Sequence, residues 1–404
     1  MISIQEAREM VKKNLPERQL ESVSLKNALG KILAKDIRAV EPSPRYTNSA
    51  MDGFAVCWDD VKTVNESGPV ELAIAGESQA GIPYEQTLQA GQAARISTGA
   101  MLCKGADTVV PIEEVEINGN TLRVLKANKF QQHLRFVGEE FETGELLLSK
   151  GVLLNPARMA VLASQGITEV PVYQTPSVAI ILTGTELVPY DSTVKPWQIR
   201  DSNGIMLETA IQESGGTVLL NAHVADNYED TVKAVQQASA NVDLILFSGG
   251  VSVGPHDLVK KAASECGFET LFWRVRQKPG KPLFFARKNK TLFFGLPGNP
   301  VSAYMCYLFY VHPVLQYLQG KRFSYRKISG KLASSIENNI NRAQLFRVSL
   351  ENQNGSDQYP IVHPLNRQGS HMLTSISDAS GFVFIDVNTT LRQGELVEVI
   401  AWNE

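Results

Sequence analysis

Three glycine- and proline-rich turns, each following an apolar run, carry most of the side chains in this chain that could do chemistry. They read Ser248-Gly249-Gly250-Val251-Ser252-Val253-Gly254-Pro255-His256-Asp257, Lys278-Pro279-Gly280-Lys281-Pro282 and Gly295-Leu296-Pro297-Gly298-Asn299-Pro300-Val301-Ser302. Glycine lets a backbone come close to a ligand, and proline fixes the direction of the chain. Gly249 and Gly250, set between Ser248 and Ser252, expose successive amide groups, a nest that an anion can fill. Lys278 and Lys281 stand on a stiff scaffold, and charge-assisted bonds from such lysines to an oxyanion contribute roughly 1.5–3 kcal/mol each. Solvated lysines are the ordinary alternative, but solvated pairs seldom need flanking prolines. Pro297 and Pro300 stiffen the third turn, which brings the Ser302 hydroxyl to the start of a helix. Together these residue types suit a phosphate or oxyanion site beside a metal ion.

The carboxylates of such a site are sought on the neighbouring turns. Leu182-Thr183-Gly184-Thr185-Glu186 closes another apolar run. Its backbone and Thr185 would contact a diphosphate, and Glu186 would meet a metal or a polar ligand group; a plain strand-to-loop turn is the competing reading. Asp226 follows an apolar segment ending near Val224. Asp257 begins a helix, where the macrodipole alone would favour an acid. Mg²⁺ takes a few carboxylate oxygens plus substrate phosphates, so Glu186, Asp226 and Asp257 form a candidate metal set. In Arg200-Asp201-Ser202-Asn203-Gly204, Asp201 and Asn203 either face a ligand or simply cap the next helix. The histidines show no ligand spacing.

These turns need elements to hold them. From about residue 175 strand-like and helix-like runs alternate, and Val178 to Leu182 and Val242 to Phe247 are continuous apolar runs, as for strands buried on both faces. A doubly wound α/β domain over 175–320 follows, with the motif turns beyond the carboxyl ends of its strands, where such folds bind ligands. Upstream, Ser3 and Glu6 form a capping box for a first helix. Ser24 is expected to cap a second helix carrying Leu25, Ala28, Leu29, Ile32 and Leu33. Glu41-Pro42-Ser43-Pro44 then breaks regular structure, and 44–138 reads as an inserted β-rich domain with a type I′ hairpin at Asn118-Gly119. A helix from Pro156 suggests that 1–43 and 139–174 form one discontinuous N-terminal helical and linker domain. Residues 321–404 read as a C-terminal β-barrel-like domain. The fold class is thus multidomain, α/β plus β.

Composition excludes several functions. The 404 residues are 43 % hydrophobic and 20 % charged, with a formal net charge of −3, so nothing points to nucleic acid. No apolar run approaches the roughly 20 residues of a membrane span, and from the polar amphipathic pattern of the first residues no signal or targeting segment is expected. Cys57, Cys103, Cys266 and Cys306 lie far apart, without zinc spacing, and are expected reduced in a cytoplasmic protein.

The succession SAMDGFAV (49–56), STGA (97–100), TGTEL (183–187), RDSNG (200–204), FSGGVSVGPHD (247–257), KPGKP (278–282) and GLPGNPVSAY (295–304) closely resembles the molybdopterin molybdenumtransferases, molybdenum insertases related to the E domain of gephyrin. The resemblance implies a central domain of molybdopterin-binding type and a homodimer. It implies a reaction of adenylylated molybdopterin with molybdate, aided by Mg²⁺, that gives molybdenum cofactor and AMP. It places functional polar residues at Asp52, Thr98, Glu140, Glu186, Asp226 and Asp257, and substrate loops at Lys278, Lys281, Pro297, Pro300 and Ser302. Arg342 and Ser370, with Lys281 and Ser302, would receive molybdate. Glu140 stands where the family usually carries aspartate. Two other readings compete: adenylyl transfer to molybdopterin, suggested by the α/β domain alone, and a gephyrin-like scaffold without catalysis.

Overall fold

A computed structural model describes residues 1–250, 258–352 and 359–402. The chain divides into two compact units: residues 1–23, 30–34 and 171–404 form one, and residues 24–29 and 35–170 form the other.

The larger unit opens with α1 (Ile4–Lys13), whose capping box is present: the Glu6 N–H donates to Ser3 Oγ and the Ser3 N–H to Glu6 Oε2. Its buried face, Ile4, Ala7 and Val11, joins the main core of the α/β domain. That domain runs β1 (Ser177–Thr183), α2 (Asn203–Glu213), β2 (Thr217–Val224), α3 (Tyr228–Ser239), β3 (Leu244–Ser248), α4 (Leu258–Glu265), β4 (Glu269–Trp273), β5 (Phe284–Lys288) and β6 (Thr291–Leu296). The sheet order is β2-β1-β3-β6-β5-β4. β1 pairs in parallel with both β2 and β3, and β3 with β6, while β5 runs antiparallel to β6 and to β4.

The apolar runs are continuous because both sheet faces are covered. Ile180, Leu182, Leu246 and Phe294 pack on one face with α1 and α2, and Ile181, Ile245, Phe247 and Phe293 on the other with α3 and α4. After β6 the chain enters α5 (Pro300–Cys306), a π-helical turn (Tyr307–Val311) and α6 (His312–Leu318).

Beyond Gly320 five strands close on themselves: β7 (Arg326–Leu332), β8 (Ala343–Glu351), β9 (Ile361–Pro364), β10 (Gly381–Ile385) and β11 (Leu396–Ala401). Their pairing runs β8-β9-β7-β11-β10 and returns to β8, which makes a five-stranded barrel. At residues 343–344, beyond the reach of β9, β8 also pairs in parallel with Gln277–Lys278. The lysine turn is therefore hydrogen-bonded to the barrel.

The smaller unit holds a six-stranded sheet ordered Thr108–Pro111, Gly53–Val56, Gln92–Ile96, Val70–Ser78, Thr121–Val124, Val115–Asn118, followed in the chain by the helix Pro156–Ser164. Two expectations are corrected within the two units. Ser24 precedes only the 3₁₀ turn Leu25–Asn27 and makes no side-chain cap. Gly30 takes φ +77 and Leu33 bridges Val172, so extended pairing replaces the second helix. In the hairpin Asn118 pairs with Thr121, so Gly119 and Asn120 form the turn. Only Gly119 has positive φ, as a type II′ turn needs.

Candidate active site

β1 lies between β2 and β3, so the chain reverses its winding at the carboxyl ends of β1 and β3, where doubly wound folds open a crevice. A cavity of about 670 Å³ occupies that place. Thr183, Gly184 and Glu186 line it after β1, Asp226 after β2, Ser248, Gly249 and Gly250 after β3, and Pro297 to Pro300 after β6. The glycines are required. Gly249 has φ +96 and Gly250 φ +62, and a Cβ on Gly249 would fall 2.3 Å from the Thr183 carbonyl oxygen.

Side-chain hydrogen bonds tie the strand ends together. Buried Thr183 donates from Oγ1 to Asp226 Oδ1 at 3.3 Å. Asn203, at the start of α2, donates from Nδ2 to Ser248 Oγ at 3.0 Å and to the Gly298 carbonyl at 2.9 Å. Asp201 lines the cavity, yet both its oxygens are engaged. Oδ1 accepts from the Gly204 N–H at 2.9 Å, and Oδ2 lies 3.1 Å from His223 Nε2. It caps α2, while the exposed carboxylates Glu186 and Asp226 face the opening.

A second cavity of about 560 Å³ is lined by Lys278, Lys281, Ser302, Arg342, Ser370 and the residues between them. It contains no carboxylate, and among the described residues none of its three cations sits in a salt bridge. The two cavities share Pro282, Asn299 and His371 in their walls. The site is therefore one crevice, with Glu186, Asp201 and Asp226 outnumbering Arg200 at one end and three cations at the other. Asn299 Nδ2 donates to Ser370 Oγ at 3.2 Å, and the Val301 N–H to the Ser370 carbonyl at 3.3 Å, which joins the start of α5 to the loop before residue 371.

Arg342 faces the cationic cavity, but Arg347 does not line it. Arg347 is fully buried and donates from Nη2 to the carbonyls of Arg367 (3.0 Å) and Gly369 (3.3 Å), while its N–H donates to Gln368 Oε1 at 3.1 Å. Burial pulls its guanidinium pKa down to about 10. It clamps the loop that presents Ser370.

The predicted residues sort accordingly. Glu186, Asp226, Ser248, Gly249, Gly250, Pro297 and Pro300 line the first cavity, and Lys278, Lys281, Ser302, Arg342 and Ser370 the second. Thr185 does not: it is exposed outside the lining, beyond the end of β1, and Thr183, the last residue of that strand, supplies the hydroxyl. Ser252 and Asp257 lie outside the described residues. Asp52, Thr98 and Glu140 belong to the smaller unit. There the Thr98 N–H donates to Asp52 Oδ1 at 2.7 Å, and Glu140 Oε2 accepts from Ser43 Oγ at 2.7 Å. Thr183, Asn299 and His371 are not among the site residues read from the sequence, though the first two lie inside quoted motifs and His371 follows Ser370.

Family models match along almost the whole chain: MoeA N-terminal region (domain I and II) over residues 2–166, "Probable molybdopterin binding domain" over 179–317, and MoeA C-terminal region (domain IV) over 329–402. A molybdopterin molybdenumtransferase of Haemophilus influenzae is 32 % identical over 410 residues, covering 100 % of this chain and 99 % of that protein. The chain belongs to the molybdopterin molybdenumtransferase family. A relative of the same name from Bacillus subtilis is 32 % identical over 96 % of this chain and 90 % of its own. A crystal structure titled as a molybdopterin biosynthesis moeA protein, from Pyrococcus horikosii, matches with TM-score 0.87 at 31 % identity, covering all of both chains.

The donor set also fits a magnesium ion. Among the described residues no group of three or more His, Cys, Asp or Glu side chains could hold a metal alone. Mg²⁺ commonly takes one or two carboxylates and completes its shell with water and substrate phosphate, and Glu186 and Asp226 provide that number in one cavity.

Proposed function

We propose that this protein inserts molybdenum from molybdate into adenylylated molybdopterin, releasing AMP. The observation that carries the reading is the single crevice with carboxylates at one end and three cations with two hydroxyls at the other. Molybdate and a pyrophosphate-linked dithiolene are both anions and must meet without repelling each other.

In this reading Lys278, Lys281 and Arg342 neutralise the oxyanion, and Ser302 and Ser370 donate to its oxygens. The glycine nest at Gly249–Gly250 takes the phosphates by backbone N–H groups. Glu186 and Asp226 would hold Mg²⁺, which when bound supplies Lewis-acid polarisation of the phosphoanhydride. The protein contributes positioning and fixed charge, and no cysteine of the chain is needed, because the sulfurs belong to the substrate.

The test is to equilibrate the protein with molybdate and adenylylated molybdopterin and to quantify nucleotides, with ATP and molybdopterin in a parallel run. AMP formed together with loaded cofactor is expected. ATP consumption would favour adenylyl transfer instead, and no product in either run would leave a binding scaffold. A homodimer and a cytoplasmic setting belong to the same reading. All four cysteines being free supports the latter, and light scattering giving one copy of 44.4 kDa rather than two would remove the former.

A further inference from the structure

We propose that Gln277 and Tyr310 are positioning residues for the lysine turn, setting through one buried hydrogen-bond chain the affinity of the cationic cavity for a tetrahedral oxyanion. Both side chains are fully buried. Tyr310 Oη donates to Gln277 Oε1 at 2.6 Å, and Gln277 Nε2 donates to the Gly280 carbonyl at 3.1 Å and faces Cys306 Sγ at 3.5 Å. The acceptor is the carbonyl of the residue just before Lys281, within the turn that carries both lysines. The next carbonyl, that of Lys281, accepts from the Val275 N–H at 3.0 Å. Two consecutive carbonyls of the turn are therefore pinned from beneath, which leaves both lysines on the cavity side.

The space under the turn is built to the same measure. Gly280 has φ +89, and a Cβ there would lie 2.4 Å from Cys306 Sγ and 2.7 Å from Gln277 Nε2. A core needing only apolar filling has no use for a glutamine and a tyrosine hydroxyl with no exposure to water, because each polar atom left unpaired there is costly. Each side-chain polar atom of Gln277 and Tyr310 has a partner in the other residue, in Cys306 or in the turn. Burial drives the Tyr310 phenol well above its ordinary pKa, so its proton stays available to Gln277.

The inference rests on the oxyanion reading of the second cavity, and the experiment separates the two. Molybdate and tungstate binding would be measured by calorimetry for the wild type, Tyr310→Phe, Gln277→Met and the reference Lys281→Met, alongside the KM of each substrate. Tyr310→Phe removes one atom and keeps the ring, so the test stands even where Gln277→Met folds poorly. The expected result is a five- to tenfold weaker molybdate affinity and higher molybdate KM for Tyr310→Phe, roughly one lost hydrogen bond. The KM for adenylylated molybdopterin should stay within about twofold, and the double variant should be no weaker than Gln277→Met alone, since both act in one chain. Wild-type affinity in both single variants, whatever their melting temperatures, overturns the proposal and leaves the cavity reading intact. No oxyanion uptake by the wild type removes the reading and the proposal with it.

Discussion

A methyl group at residue 249 would press into the Thr183 carbonyl, so Gly249→Ala should open β1 from β3 at the floor of the crevice. Strain at φ +96 adds to the clash, and a loss of about 1–3 kcal/mol with markedly weakened nucleotide-substrate binding is expected from denaturation and binding titrations. Asp226→Asn should raise the Mg²⁺ concentration needed for half-maximal turnover about tenfold, because one of two carboxylates is gone; an unchanged magnesium titration would exclude this residue as a ligand. The glycine nest and the lysine pair were legible in sequence because their chemistry is local to one turn. Thr183 was overlooked in favour of Thr185, since both sit in the same hydroxyl–glycine run and strand alternation alone cannot say where the strand ends. Gln277 and Tyr310 gave no signal at all. Gln277 stands between Arg276 and Lys278 and reads as a solvated position until Tyr310, 33 residues away, is seen beside it.

Elements show where periodicity succeeds and where it misleads. Val178 to Leu182 and Val242 to Phe247 read as doubly buried strands, and the strands formed there are covered on both faces. Phe293→Ala should therefore cost about 3–5 kcal/mol in chemical denaturation, because Phe247, Phe268 and Phe284 all pack on that ring. The segment after Ser24 had helical spacing too, but pairing of Leu33 with Val172 outweighed a weak local preference. His312 begins α6, its Nδ1 lying 2.9 Å from Ser214 Oγ, and burial, with the charge of Lys321 behind it, lowers its pKa to about 4. Its folded pKa lies below the unfolded value of about 6.5, so the unfolded chain binds the extra proton. Stability contributed by neutral His312 is complete above that value and is lost as pH falls from about 6.5 to about 4. The loss is on the order of 3 kcal/mol, and His312→Gln should flatten that limb of a stability–pH curve.

At the scale of the molecule, two units with separate apolar cores should melt as two calorimetric transitions. Molybdate bound by the cationic cavity should raise only the transition of the larger unit, by about 2.7 kcal/mol of added stability at a hundredfold excess over Kd. A single transition moved as a whole would show that the units unfold together. Alternating strand and helix signals made the α/β unit readable from sequence, whereas chain continuity hid that α1 and residues 30–34 pack with the later domain. Closure of the C-terminal barrel has a further consequence. Among the described residues its five strands pair in a closed round, and the stretch of β8 beyond β9 is taken by Gln277–Lys278, so a foreign strand finds little open flank there. The α/β sheet is different: among the described residues it ends at β2 on one side and β4 on the other, and no strand pairs with the outer row of β2. Along that rim every second residue is exposed, and Asn221 and His223 take two of those places. Changing them to valine would leave a flat, sticky border, and self-association under crowding should begin there rather than at the crevice or the barrel.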